Sequence, residues 1–114
     1  MQIINLTPHT LNIFNEEGVE TIVPISGMIA RIETETKFIN EIDGIPFYET
    51  IVTGKPILLD KDGNCLPFPD VTLDSIYVVS GLFRSHFDRI DLWQPGRLLR
   101  DEAGNIIGSL GLSR

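Results

Sequence analysis

The sequence predicts an all-β domain, a small antiparallel barrel or sandwich with one short helix near residues 81–87. Three observations carry this. The dominant apolar period is two, not the helical period of about 3.6. Turn-forming Gly, Asp, Asn and Pro recur roughly every 8–12 residues, the spacing of short strands in a barrel or sandwich. Only one stretch, GLFRSHF, spaces its large apolar residues as a helix does.

Along the chain, Leu11 and Ile13 alternate with Thr10 and Asn12, EEG at 16–18 forms a turn, and VETIVP alternates again until Pro24 stops it. That is a hairpin pattern. ISG at 25–27 is a further turn. MIARIETETKF is the longest candidate strand, rich in β-favouring Ile and Thr. Asp43-Gly44 is a strong hairpin signal ahead of a strand over 46–52, and Pro46 marks an edge position or a strand start. GKPILLDKDGNCLPFPDVTLD, with Pro56, Pro67 and Pro69, reads as an irregular connection or flap. SIYVVSG is the most apolar strand and belongs in the centre of a sheet. GLFRSHF supplies the helix, and IDLWQPG a short strand and turn. RLLR, the turn DEAGN and IIGSLGL form a last hairpin, in which Gly108 and Gly111 point to a bulge or a close backbone approach.

A chain of 114 residues makes a single domain, 1–114, long enough to bury a core without staples. No apolar run approaches the length of a membrane span, and no basic stretch followed by an apolar one reads as a secretion signal. A single cysteine, Cys65, excludes an internal disulfide and a cysteine cage for metal, and a reducing cytoplasm is the expected compartment.

The net charge of −7 argues against binding a nucleic-acid polymer, which needs clustered cations. The charge is unevenly spread. Residues 1–80 hold 4 basic and 12 acidic side chains; residues 81–114 hold 5 and 4, and all five basic ones are arginines. A planar fork suits carboxylates and phosphates. Around them lie Phe83, Phe87 and Trp93. Arginine forks beside aromatic faces are what holding phosphates and stacking a base require. His9, Phe83, Arg84, Arg89, Trp93, Arg97 and Arg100 are therefore the candidate ligand-binding residues, for a small nucleotide. The competing reading is that the aromatics fill core and the arginines pair with Asp88, Asp91, Asp101 and Glu102. His9 itself either marks the corner made by Pro8 or offers its ring to a ligand.

Catalytic signals are sparse. The residues carry no nucleophile elbow and no phosphate-binding glycine loop. DKDGN at 60–64 resembles a calcium loop only superficially, because its glycine falls at position 4 and position 12 is Val71. Neither metal nor cofactor is expected. His9 and His86 can serve as acid and base only if the fold brings them together.

Taken together, NLTPH at 5–9, Ser26-Gly27 with Ala30-Arg31, IYVVSGL at 76–82, DRIDLWQPG at 88–96 and RDEAGNIIG at 100–108 resemble one family. Its members are small, mostly uncharacterised proteins of bacteriophages and bacterial genomes that open N-L-T-P-H and end R-D-E-x-G-x-I-x-G. Residues 37–74 depart most from that pattern. The resemblance implies a phage or prophage context in the cytoplasm of a bacterial host. By analogy of size and class, it suggests an anti-defence sponge: a β-rich homo-oligomer that sequesters a cyclic oligonucleotide or ADP-ribose isomer. Two alternatives are a phosphodiesterase-like enzyme acting through His9 and His86, and a structural or host-protein-inhibiting accessory protein.

Overall fold

The most apolar strand lies inside the sheet, where the sequence puts it. In the computed structural model, which describes residues 1–114, the strand β9 (Ser75–Val78) runs between β1 (Gln2–Asn5) and β10 (Leu92–Arg100). The sheet continues through β11 (Ile106–Ser113) and β2 (Leu11–Phe14) to β3 (Glu20–Val23). Strands hold 51% of the residues and helix 5%, so the chain is all-β as predicted, built on a nearly closed, barrel-like sheet of six strands. The sheet is mixed, however, not uniformly antiparallel: β1–β9, β9–β10 and β11–β2 pair in parallel. For β9–β10 the cause is the short helix α1 (Gly81–His86), which lies between the two strands. A parallel pair needs a crossover of about a dozen residues or more, and the helix supplies it.

Helix α1 begins where Ser80 accepts a hydrogen bond from the Phe83 N–H at 3.2 Å, and it ends within a residue of the predicted limit. It buries Phe83 against Leu6, Leu58, Tyr77, Val79 and Leu92. Phe68 stacks on Phe83 at 5.6 Å and meets Phe87 edge-on at 5.5 Å. This aromatic cluster is the heart of a small core.

The barrel is nearly closed by one side chain. Asn5, at the end of β1, donates to the carbonyls of His9 (2.7 Å) and Val23 (3.3 Å), the latter on β3. Its Oδ1 accepts from the Thr7 N–H (2.9 Å) and the Thr7 hydroxyl (2.6 Å). The Ser26 hydroxyl donates to the Asn5 carbonyl at 2.6 Å. The first and last strands of the sheet are thereby stitched together. NLTPH is the knot that does it, and Asn5 is buried with all four side-chain hydrogen bonds made.

Two further sheets flank the barrel. The predicted strand MIARIETETKF breaks at Ile32–Glu33 into β4 (Ile29–Arg31) and β5 (Thr34–Ile42). β4 pairs with β7 (Ile57–Leu59), which pairs with β8 (Cys65–Leu66). Part of the segment read as an irregular connection is thus sheet. β5 pairs only with β6 (Ile45–Val52), across a turn in which Asp43 and Gly44 both take positive φ (52° and 79°) as a type I′ turn demands.

Three other hairpin turns share one chemistry. The Oδ1 atoms of Asn15, Asp60 and Asp101 each accept two backbone N–H groups, from residues two and four positions on, at 2.9–3.0 Å. The fourth residue of each turn is a glycine with φ of 80–85°. DKDGN is therefore a turn whose carboxylate faces its own backbone. The hydrogen bonds, foremost those from Asn64 and Asn105, hold the carboxyls of Asp60 and Asp101 below the ordinary value of 3.8.

Candidate functional site

The seven predicted ligand-binding residues do not form one site. Phe83 is fully buried in the core and presents no face to solvent. Arg89 spends its fork on the protein itself. Its Nε and Nη2 donate to the two carboxylate oxygens of the buried Asp91 (3.0 and 2.6 Å), and its Nη1 donates to the Pro69 carbonyl (2.6 Å). The same guanidinium lies 5.2 Å from the centre of the Phe68 ring and 5.9 Å from that of Phe87. It is a brace that ties the loop before β9 to the start of β10. Arg84 donates from Nε to the Leu92 carbonyl (3.0 Å) and pairs with Asp88 (3.0 Å), with little of its side chain exposed. For these three residues the competing reading holds: core and internal pairing.

Trp93 is half-buried, and the Arg114 guanidinium sits 5.1 Å from its ring centre. A base stacking on that side would have to displace Arg114. The His9 ring is exposed, whereas its backbone carbonyl is bound into the Asn5 knot. Pro8-His9 is therefore chiefly a corner, held through its main chain. The imidazole edges a shallow, mostly apolar groove of about 330 Å³ with Leu11, Pro95, Leu98 and Ile106. His86 turns back on its own helix, with Nδ1 2.9 Å from the Leu82 carbonyl and 3.0 Å from the Ser85 hydroxyl. The two imidazoles serve different places.

Arg97 and Arg100 are brought together. Both line an open groove of about 440 Å³ between the β10–β11 hairpin and the end of β2, with Phe14, Asn15, Leu99 and Leu110. Alternation along β10 directs Arg97 and Leu99 to the same side. Arg100 falls out of that alternation and enters from the rim, where its Nη1 donates to the Gly104 carbonyl at 2.9 Å. Neither guanidinium has a carboxylate within 4.0 Å; the two ion pairs of the molecule are Arg84–Asp88 and Arg89–Asp91. In a chain of net charge −7, two unpaired arginines in one groove are available to an anion. Glu16 and Gly18 also line the groove; its apolar wall is Phe14, Leu99, Ile107 and Leu110, and Phe14 is its aromatic residue.

Close backbone packing shapes this wall. A Cβ on Gly108 would stand 2.3 Å from the Asn12 carbonyl oxygen, and one on Gly96 would stand 2.0 Å from that of Leu110. Only glycine allows β11 to approach β2 and β10 so closely. The pairing slips between Leu99 and Arg100, leaving Ile107 without a register partner, and Ile107 lines both grooves. Sequence reasoning missed Phe14, because its partners come from the far end of the chain. Its place on the Asn12 face of β2, opposite Leu11 and Ile13, was the available signal, and it marks a strand rather than a site.

No group of three His, Cys, Asp or Glu side chains converges to hold a metal ion, and no helix is long and apolar enough to cross a membrane. The chain matches no family model, no curated protein and no solved structure.

Proposed function

We propose that the protein is a non-enzymatic binding module that captures a small phosphate-bearing ligand of nucleotide type in the Arg97–Arg100 groove. The observation that carries this reading is the pair of guanidiniums, free of carboxylate partners, beside the apolar wall formed by Phe14, Leu99 and Leu110. Arginine forks hold phosphate oxygens through charge-assisted hydrogen bonds, each contributing about 1.5–3 kcal/mol. Phe14 offers an apolar face for a base. His9 borders the neighbouring groove and not this one, so a captured ligand meets no imidazole there and is expected to leave unchanged. Cyclic oligonucleotides and ADP-ribose isomers, the signals of bacterial immunity, fall in this class.

The test is capture and release. Protein is mixed with a panel of cyclic dinucleotides, cyclic trinucleotides and cyclic ADP-ribose isomers, removed by filtration, then heated, and both fractions are chromatographed. One nucleotide should vanish and return intact, and Arg97→Ala should weaken its capture at least about tenfold, the equivalent of about 1.4 kcal/mol. If every nucleotide stays in the filtrate, the reading fails. A ligand returned chemically altered would favour an enzyme instead.

A second reading, a structural or host-protein-inhibiting accessory protein, draws on a different observation: the apolar residues exposed along β5 and β6. Capture of a specific host protein in place of a nucleotide would favour it.

A further inference from the structure

Three segments far apart in the chain meet at a hollow of about 290 Å³. Thr7 and Pro8 come from the corner after β1, Ile29 and Arg31 from β4, and Ser80 and Leu82 from the start of α1. Backbone hydrogen bonds hold these segments side by side. The Leu6 N–H donates to the Val78 carbonyl at the end of β9, and the Ala30 N–H of β4 donates to the Leu6 carbonyl, both at 2.9 Å. Leu6 and Phe83 also line the hollow, and both are buried core residues, so its wall belongs to the packed body of the molecule. No residue lines both this hollow and the Arg97–Arg100 groove.

The polar side chains of the hollow keep hydrogen-bond donors unspent. The arginine side-chain hydrogen bonds of the molecule belong to Arg84, Arg89 and Arg100, and its ion pairs to Arg84 and Arg89, so the Arg31 fork has no partner. Alternation along β4 sets Arg31 on the same side as Ile29. The Thr34 hydroxyl, also in the lining, has no partner in the protein. The Ser80 hydroxyl accepts from the Phe83 N–H and donates to nothing. Only the Thr7 hydroxyl is committed, to the Asn5 knot. No Asp or Glu lines the hollow. Glu33, two residues beyond Arg31, lays its side chain against Gly54 instead. A single guanidinium therefore stands beside two spare hydroxyls and an apolar wall, with no acid to neutralise it. Sites for small molecules have this composition: mostly apolar, with a few polar groups that fix orientation.

We infer that this hollow is a second binding site, for a small organic monocarboxylate. The carboxylate meets the Arg31 fork, which matches its geometry, and the Thr34 and Ser80 hydroxyls donate to its oxygens. The hydrocarbon body lies on Leu6, Pro8, Ile29 and Leu82. Charge selects the class. One guanidinium balances one carboxylate, whereas a phosphate monoester carries about −1.5 to −2 at pH 7 and would enter an apolar hollow half-neutralised. The paired arginines of the other groove suit that higher charge; Arg31 alone does not. The corner at Pro8 thus has a second consequence: the turn that closes the barrel also sets a rigid apolar wall beside β4. The inference does not rest on the nucleotide reading, because the two sites share no residue.

The experiment is a titration of the isotope-labelled full chain, followed by NMR at constant ionic strength. Hexanoate and phenylacetate are the probes, with hexanamide and inorganic phosphate beside them. At least one carboxylate should shift the amides of residues 29–34 and 80–83 saturably, with a dissociation constant at or below about 1 mM. Hexanamide, which lacks the charge, and phosphate, which lacks the apolar body, should each bind at least about tenfold more weakly. Arg31→Gln should weaken the carboxylate at least about tenfold, and Arg31→Lys, which keeps the charge but not the fork, should recover part of that loss. The Arg31 side chain has no partner to lose, so both variants should fold as the parent does. Arg97→Ala should change nothing here, which separates this test from that of nucleotide capture. Four results overturn the inference: no saturable shift up to about 10 mM of either carboxylate, hexanamide bound as tightly as hexanoate, phosphate bound as tightly as the carboxylates, or binding that survives Arg31→Gln unchanged.

Discussion

The molecule contains two long hairpins of equal size, and they meet opposite fates. β10–β11 and β5–β6 each join a nine-residue strand to an eight-residue one. The first is sewn into the barrel, with β9 on one edge and β2 on the other. The second has no neighbour on either edge. Local sequence treats them alike: both alternate, and both close on turn residues suited to positive φ. What separates them is whether a third strand reaches their edges. The barrel hairpin gains its neighbours because the helical crossover brings β9 to β10, and because Gly108 lets β11 lie close against β2. The β5–β6 arm is offered no such neighbour. A hairpin is thus a local product, and its place in a fold is a long-range one.

The contrast between a braced body and an unbraced arm can be broken at the body first. Arg89→Ala removes the partner of the buried Asp91, frees the Pro69 carbonyl and uncovers Phe68. Leaving a buried carboxylate unpaired costs about 3–5 kcal/mol. Denaturant unfolding should show a loss of that size, with capture by the molecules that remain folded unchanged. Intact stability with lost capture would instead return Arg89 to the ligand site.

A smaller loss is expected at the knot. Asn5→Ala takes the acceptor from the buried Thr7 N–H and this donor from the Val23 carbonyl, and unstitches β1 from β3. About 1–3 kcal/mol of stability should go, measured in the same way. The imidazole of His9 takes no part in the knot, so His9→Ala should leave stability within about 0.5 kcal/mol of the parent.

Within the arm the effects should be local. Phe38 and Tyr48 sit opposite each other with ring centres 6.0 Å apart. Removing either ring weakens the ribbon by about 0.5–1 kcal/mol. In dilute solution that loss should be visible only as faster exchange of the arm amides, with global unfolding unmoved. A matching drop in global stability would mean that the arm is coupled to the barrel after all.

The smallest effect concerns acid. The carboxyls of Asp60 and Asp101 titrate below their ordinary 3.8 because backbone N–H groups bind the ionised form. A depressed carboxyl adds stability above its unfolded value and loses it as the pH falls through 3.8 and on through the folded value. Both groups are fully exposed, so the contribution is modest. The stability gap between the parent and Asp101→Ala should narrow below pH 3.8, whereas a gap unchanged at low pH would mean that the ionised form is not what the turn uses.

Much of the local architecture was legible in the sequence. The Asp43-Gly44 turn, the central position of SIYVVSG, the helix over GLFRSHF and the tightness at Gly108 each follow from one residue type meeting one backbone requirement. The candidate site was legible only in part. Arginines beside aromatics read the same whether they face a ligand or brace a core. Arg97 and Arg100 remain available because no carboxylate stands within 4.0 Å of them, although Glu16 shares their groove, whereas Arg89 is consumed by Asp91. That outcome depends on where Pro69, Phe68 and Asp91 converge, and no spacing along the chain encodes it.

The sequence by itself determined the class of the fold, its turns and the chemistry available to it, because periodicity, glycine and side-chain caps act over a few residues. Tertiary structure alone decided that the sheet is mixed, that NLTPH stitches its first strand to its last, and which arginines stay free. It also decided that one apolar hairpin of two is left outside. Those outcomes depend on strand order and on the burial of charge, and both are set by contacts between residues far apart in the chain.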